Sequence, residues 1–279
     1  MTKILFPTDF SEAAEKAFLY ALELTQKLNA ELTLLHVYEL PELGRALHNT
    51  TREVYDLMEM ESLEAFKKSV DKLRAFALEK GYSDVDFKQI MTEGEAVYSI
   101  TGIAKEESVD FIVMGTKGAT GLKEVFLGSV ASGVIDNANC NVISVPQDTD
   151  YKEKLDRIAY LTNYTEKEIE SFNTIARFAK HFEARINCIH FDDDEQNLST
   201  QEMDVWKSKL DTQGLEVKYN NISGSDFEEA LADFYKAEGI DIVAIQPRKR
   251  NFFLKIFSKG VSKKLAHHIE IPLFTLPAK

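Results

Sequence analysis

Only two cysteines, Cys140 and Cys188, occur among the 279 residues, far apart, with no CxxC pair and no histidine cluster at metal-ligand spacing. That excludes a disulfide framework and an encoded zinc site, and leaves two ordinary thiols. Glycine and proline are sparse, at 13 and 6, and with 44% hydrophobic and 28% charged residues the chain is far from collagen-like, mucin-like or disordered compositions. Basic side chains number 33 against 46 acidic ones, a net charge of −13. Such a field argues against general affinity for nucleic acid or for an anionic membrane, although a local basic patch can still hold one anion. No 18 apolar residues run together, and Met1 to Pro7 reads as a strand rather than as a charged region followed by an apolar one. A soluble, cytoplasmic protein with no membrane or nucleic-acid partner is the expectation.

What the chain does contain is a repeat. Lys3 to Ser11 (KILFPTDFS) matches Arg157 to Thr165 (RIAYLTNYT), and Ala30 to Val37 matches Ala184 to Phe191, both 154 positions apart. At the far ends Asp110 to Pro146 lies over Asp241 to Pro277 without a gap, 131 positions apart. The second copy is therefore shorter in its middle, where the first carries the Pro- and Gly-containing stretch Leu40 to Thr51. A length nearly twice that of one ordinary domain agrees with two units, 1–147 and 155–279, joined by the polar linker Gln147 to Lys154.

Within each copy short apolar runs alternate with amphipathic helices, the pattern of βα units building a parallel sheet. In copy one the spacing predicts strands over 3–7, 31–37, 85–91, 111–115 and 142–145. The helical stripes between them are Ala14, Ala17, Phe18, Ala21, Leu24, Leu28; then Leu63, Phe66, Val70, Leu73, Ala77; then Ala96, Val97, Ile100, Ile103, Ala104, with a fourth helix beginning near Ser129. In copy two, Thr165 and Glu168 form a capping box opening a helix with the stripe Ile169, Phe172, Ala176, Ala179, Phe182. The fold class is α/β: two tandem open parallel sheets with helices on both faces, Rossmann-like.

Open parallel sheets bind ligands at the carboxyl ends of strands, where the strand order switches. In copy one Gly115-Thr116-Lys117-Gly118 follows the fourth strand, then nine residues, then Gly128-Ser129-Val130 opening a helix. Glycines let backbone N–H groups approach an anion, and Ser129 adds a hydroxyl at the positive end of the helix dipole. It is neither GxxxxGK[ST] nor GxGxxG. The combination with Asp9 at the end of strand one suits a phosphate chain.

These residues resemble a tandem universal stress protein of the UspA family: Ile4 to Ser11, Leu34-Leu35-His36-Val37, the Glu93-Gly94-Glu95 turn, and Gly115-x2-Gly118-x9-Gly128-Ser129. The likeness covers essentially the whole chain in two copies. It implies a five-stranded parallel sheet per domain, of the adenine nucleotide alpha hydrolase-like type, and an ATP site in copy one. Carried over, it places adenosine against Pro7, Thr8, Asp9, Val37 and Met114, and the phosphates along Gly115, Lys117, Gly118, Gly128, Ser129 and Val130. Magnesium often accompanies such a triphosphate, with no dedicated carboxylate pair visible as its ligands. The family also commonly pairs the last strands of two domains, which here would set Val142–Val145 against Leu273–Leu276 as an internal pseudo-dimer. Homodimerisation of the whole chain stays open.

Copy two departs from this pattern. Gln246, Lys249, Lys259, Gly260 and Asn163 stand where copy one has Gly115, Gly118, Gly128, Ser129 and Asp9. Side chains there crowd the space in which backbone must meet phosphate, so copy two is expected not to bind ATP in the family's manner. The basic segment 248–264 reads as a solvated surface with its aromatic residues packed inward, or as an anion site. His36, His190 and the His267-His268 pair read as structural or surface histidines, and neither Trp206 nor the acidic run 192–195 shows an evident role.

The function implied is a nucleotide-responsive regulatory or stress-resistance protein, in which ATP in copy one orders the glycine loop and the neighbouring Leu40–Thr51 segment. Two alternatives stay open: a slow ATPase or phosphoryl-transfer enzyme, for which no residue is nominated to position water, and an interaction scaffold independent of nucleotide.

Overall fold

The computed structural model describes residues 1–40, 51–116, 128–152, 154–192, 200–224, 227–247 and 271–277. Ten strands alternate with helices: β1 (Lys3–Pro7), α1 (Glu12–Leu28), β2 (Glu31–Tyr38), α2 (Thr51–Glu79), β3 (Phe87–Glu93), α3 (Ala96–Glu106), β4 (Phe111–Gly115), α4 (Ser129–Asn137) and β5 (Asn141–Val145) make the first half. In the second half β6 (Arg157–Leu161), α5 (Ile169–Lys180), β7 (Arg185–Asp192), α6 (Thr200–Ser208), β8 (Val217–Ser223), α7 (Phe227–Glu238), β9 (Ile242–Ile245) and β10 (Leu273–Thr275) follow. No described helix is long and apolar enough to cross a membrane.

The strands form one sheet in the order β3-β2-β1-β4-β5-β10-β9-β6-β7-β8. Every pairing is parallel except β5 with β10, where Ser144, Ile143 and Val142 face Leu273, Phe274 and Thr275. The two expected five-stranded sheets are thus spliced at the expected strands into a continuous one. Each edge covered by the splice is an edge that would otherwise template association with another chain.

The repeat extends to single hydrogen bonds. Asp110 accepts from the N–H of Lys3 at 2.8 Å, and Asp241 accepts from the N–H of Arg157 at 2.9 Å. Lys3 Nζ reaches the carbonyl of Glu107 at 2.7 Å, as Arg157 Nη1 reaches that of Glu238 at 2.5 Å. Phe10 and Tyr164 both take left-handed backbone, at φ 59° and 55°, because Thr8 Oγ1 and Thr162 Oγ1 accept their N–H groups in the turn after the first strand.

Helix termini follow local chemistry. Ser11 caps α1 by accepting the Ala14 N–H at 3.3 Å, and Asn29 closes it in the left-handed conformation at φ 47°. In the second half the carboxylate of Glu168 returns to the Thr165 N–H at 2.9 Å, but the turn it closes is a 3-10 turn over Glu166–Glu168, and α5 begins only at Ile169. The third strand differs from expectation: it starts at Phe87 and runs to Glu93, because the Val85 N–H is spent on the Tyr82 carbonyl and Asp86 accepts the N–H of Phe87.

One apolar cluster covers a single face of both halves, with α1, α2 and α5 packed on the sheet. The other face carries a separate cluster in each half, α3 and α4 in the first and α7 in the second. On the shared face Phe111 of β4, Phe178 of α5 and Phe274 of β10 meet, with ring centroids 4.9 to 5.9 Å apart. The linker is not loose: Thr149 is buried, as is Leu155 directly after it, and the Tyr151 hydroxyl meets the Tyr82 hydroxyl at 2.6 Å and the Glu23 carboxylate at 3.1 Å.

Candidate functional site

In the first half the strand order switches between β1 and β4, so the loops leaving these strands diverge to opposite faces and open a crevice at their carboxyl ends. That crevice holds a cavity of about 190 Å3. Its lining includes Pro7, Thr8, Asp9, Val37, Met114, Gly115, Gly128, Ser129 and Val130, nine of the residues singled out in the sequence. The other two, Lys117 and Gly118, lie outside the described residues, as do 41–50 of the Leu40–Thr51 stretch, the 248–264 segment and His267-His268.

The floor is apolar and the rim polar. Leu35, Ile100, Met114, Ala14 and Ala131 are buried, whereas Asp9 and Ser129 are exposed at the mouth. Asp9 is held by an Asx turn, its Oδ1 accepting the Ser11 N–H at 3.1 Å. Thr8 is fixed on both sides: its N–H donates to the Leu35 carbonyl at 2.9 Å, and its own carbonyl accepts from His36 Nδ1 at 2.8 Å. A carbonyl can only accept, so His36 Nδ1 carries its proton. The ring also stacks on Phe66, at 5.9 Å and 18°. His190 repeats the bond to the Thr162 carbonyl at 3.1 Å, so both histidines pin a strand-end turn.

The glycines act differently from the expectation that they simply bare the backbone to an anion. At Gly115 a Cβ would come within 3.1 Å of the Ala13 carbonyl oxygen, so this glycine permits the close approach of β4 to the start of α1. At Gly128 the N–H is already used, donating to the Thr116 carbonyl at 2.6 Å, while the Thr116 N–H bonds the Val145 carbonyl at 3.0 Å. These two bonds hold together the chain on either side of residues 117–127. Backbone donors toward the cavity therefore come from the next residues, Ser129 and Val130 in the first turn of α4, which has no side-chain cap and no acidic residue.

Ala14, Leu35, Ala96, Ile100, Thr116 and Ala131 complete the lining and were not singled out as site residues. Three of them, Ala14, Ala96 and Ile100, belong to stripes that read simply as core-facing, and nothing in a stripe distinguishes the sheet beneath it from a cavity beneath it.

The second half closes the corresponding place with its own side chains. Glu168 stands where the first half has the cavity-lining Ala14. Its Oε2 accepts from Thr162 Oγ1 at 3.1 Å, the Asn163 N–H at 3.1 Å, the Thr165 N–H at 2.9 Å and Thr165 Oγ1 at 3.0 Å. Gln246, in the place of Gly115, accepts from the Ser171 hydroxyl and donates to the Pro277 carbonyl at 3.3 Å. A buried acid among these donors disfavours a phosphate there, a feature that the comparison of glycines missed. Trp206 acquires a structural role: it is buried, its indole N–H donates to the Thr165 carbonyl at 3.0 Å, and its ring lies 5.1 Å from Tyr164 and 5.7 Å from Phe172. Removing the carboxylate should be costly, because several hydrogen bonds to a charged acceptor vanish at once. Glu168→Ala is expected to lower stability in urea unfolding by about 3 kcal/mol. A loss below about 1 kcal/mol would show that water replaces the carboxylate.

The thiols have no part in this site. Burial pushes the Cys140 thiol up to about 12, helped by the nearby Asp110 charge, and burial raises Cys188 still further.

A sequence model of the universal stress protein family matches residues 1–146. Two universal stress proteins of Methanocaldococcus jannaschii are similar to the same half. One is 35% identical over 144 residues, covering 51% of this chain and 81% of the relative. The other is 36% identical over 156 residues, covering 51% and 93%. A crystal structure of a universal stress protein from Archaeoglobus fulgidus is similar over 99% of this chain and 96% of its own, with a TM-score of 0.69 and 20% identity. At that identity the likeness speaks for the fold, and it extends the fold through the second half.

Proposed function

The chain belongs to the universal stress protein family, and from that membership we propose that its first half binds ATP and that the protein acts as a nucleotide-responsive regulator. The observation that carries this reading is the cavity at the β1/β4 switch, with an apolar floor, a carboxylate on one rim and an uncapped helix N-terminus on the other. At about 190 Å3 it is smaller than the roughly 300–1,000 Å3 of pockets that swallow whole drug-sized ligands. It suits the nucleoside, with the phosphates outside along the rim.

In this pose the base lies between Val37 and Met114, and the Asp9 carboxylate accepts hydrogen bonds from the ribose hydroxyls. The Ser129 hydroxyl and the N–H groups of Ser129 and Val130 meet the phosphates, where the α4 dipole adds to their attraction. Gly115 shapes this arrangement through its close approach to Ala13, and Gly128 through its N–H bond to the Thr116 carbonyl. Lys117 and Gly118 would complete the phosphate contacts from the loop. A magnesium ion would travel with the triphosphate, neutralising its oxygens.

Titration of the full chain with ATP and magnesium, followed by native mass spectrometry, tests the reading. One ATP per chain is expected. None at millimolar nucleotide would overturn it, and two would overturn the assignment of the second half as silent.

A further inference from the structure

The pseudo-twofold relation between the halves creates two equivalent grooves beside the β5–β10 splice, and among the described residues only one of them is filled. The first has walls of Tyr20, Asp241, Ile271 and Pro272 and is occupied by the linker, leaving about 20 Å3. The second has the corresponding positions Thr174, Asp110, Cys140 and Asn141, together with Gln246 and Pro277, and keeps about 310 Å3 open.

The filled groove shows what its walls recognise. Lys152 Nζ lies 2.8 Å from Asp241 Oδ1, while Asp241 Oδ2 accepts the N–H groups of Asp156 and Arg157, both at 2.9 Å. Tyr151 packs edge-on against Tyr20, with centroids 5.1 Å apart at 88°. Under this strap Asp241 is nearly covered, its side chain 11% exposed. Its counterpart Asp110 makes the same bond to the first strand, through the Lys3 N–H at 2.8 Å, but is exposed. The linker leaves β5 just after Pro146, and Pro277, the equivalent of Pro146, lies in the wall of the open groove. A chain entering beside Pro277 would thus retrace the linker's path and bring a lysine to Asp110.

We propose that this open groove is a peptide-docking site that takes an extended, lysine-bearing segment of a partner protein, bound as the linker is bound in the equivalent groove. The lysine pairs with Asp110, and the residues on either side lie along Cys140, Asn141 and Thr174. The smaller Thr174, in place of Tyr20, leaves room for a bulky side chain next to the lysine.

A fluorescent peptide with the sequence of residues 147–157, titrated into the full chain and followed by anisotropy, serves as the probe. Saturable binding is expected. Asp110→Asn, which keeps an acceptor for the Lys3 N–H, should weaken it about fivefold, and Lys152→Ala in the peptide should weaken it equally. Combining the two should cost no more than either alone, as for groups in contact. Thr174→Tyr should tighten binding about threefold by restoring the ring partner of the peptide's tyrosine. Absence of saturable binding at about 1 mM peptide would overturn the proposal. So would equal binding of a scrambled peptide, additive losses, or binding indifferent to Asp110→Asn, which would mark invasion of the linker's own groove.

Discussion

Replacing Ser129 by proline is expected to lower the affinity for ATP about a hundredfold while leaving the fold unchanged. Proline is accommodated at the first position of a helix, where the missing N–H has no intrahelical partner and the fixed φ is already helical. The preceding residue must then be extended, and Gly128 already is, at φ −56° and ψ 155°. The substitution removes two donors from the phosphate rim, the backbone N–H and the hydroxyl. Hydrogen bonds to a charged acceptor contribute about 1.5 kcal/mol or more each, and a loss of about 3 kcal/mol is roughly a hundredfold in affinity. Ser129→Ala keeps the N–H and should lose about tenfold. Calorimetric titration measures both, with the thermal midpoint as a check on folding. Unchanged affinity in the proline variant would place the phosphates elsewhere than the start of α4.

Phe274→Ala should destabilise the protein by about 4 kcal/mol, since the ring is fully buried and its removal opens a cavity at a place where neither half can collapse independently. Its neighbours are Phe178 in the second half and Phe111 in the first, 4.9 and 5.9 Å away. The substitution therefore also cuts packing between the halves. Trp206 is the single tryptophan and lies in the second half, so its fluorescence reports that half, whereas far-ultraviolet dichroism reports the whole chain. In urea the two curves should coincide for the unaltered protein. In Phe274→Ala the tryptophan curve should move to lower denaturant and separate from the other. Coincident curves with a shift below about 1 kcal/mol would show that the splice alone couples the halves.

The parts of this structure that could be read in the sequence are those set by local periodicity and by the repeat. The helical stripes of α1, α3 and α5 and the first, second and fourth strands of the first half follow directly from apolar spacing, and the resemblance to tandem universal stress proteins named the strands that pair at the splice. The start of β3 was displaced because Val85 is apolar yet its N–H is committed to a turn, a choice that hydropathy does not encode. Cavity-lining residues were legible where they sit at strand ends, in the turn after a strand or at a helix start, as Pro7, Gly115, Thr8, Asp9 and Ser129 do. What could not be read was the duty of each glycine. Gly115 relieves contact with Ala13, and Gly128 has its N–H already bonded, relations between segments distant in sequence. The same limit hid Glu168: as the third residue after Thr165 it reads as a helix cap, and only in three dimensions does its carboxylate also gather Thr162 and Asn163.

The antiparallel meeting of β5 with β10 has a kinetic and cellular consequence. Two separate chains joined along such an edge would associate or part according to their abundance. Here the halves that carry the two edges are joined by the linker Gln147 to Lys154, which holds the edges at an effective concentration on the order of millimolar or above. Pairing is then insensitive to dilution, and each molecule carries one cavity and one filled counterpart in fixed proportion.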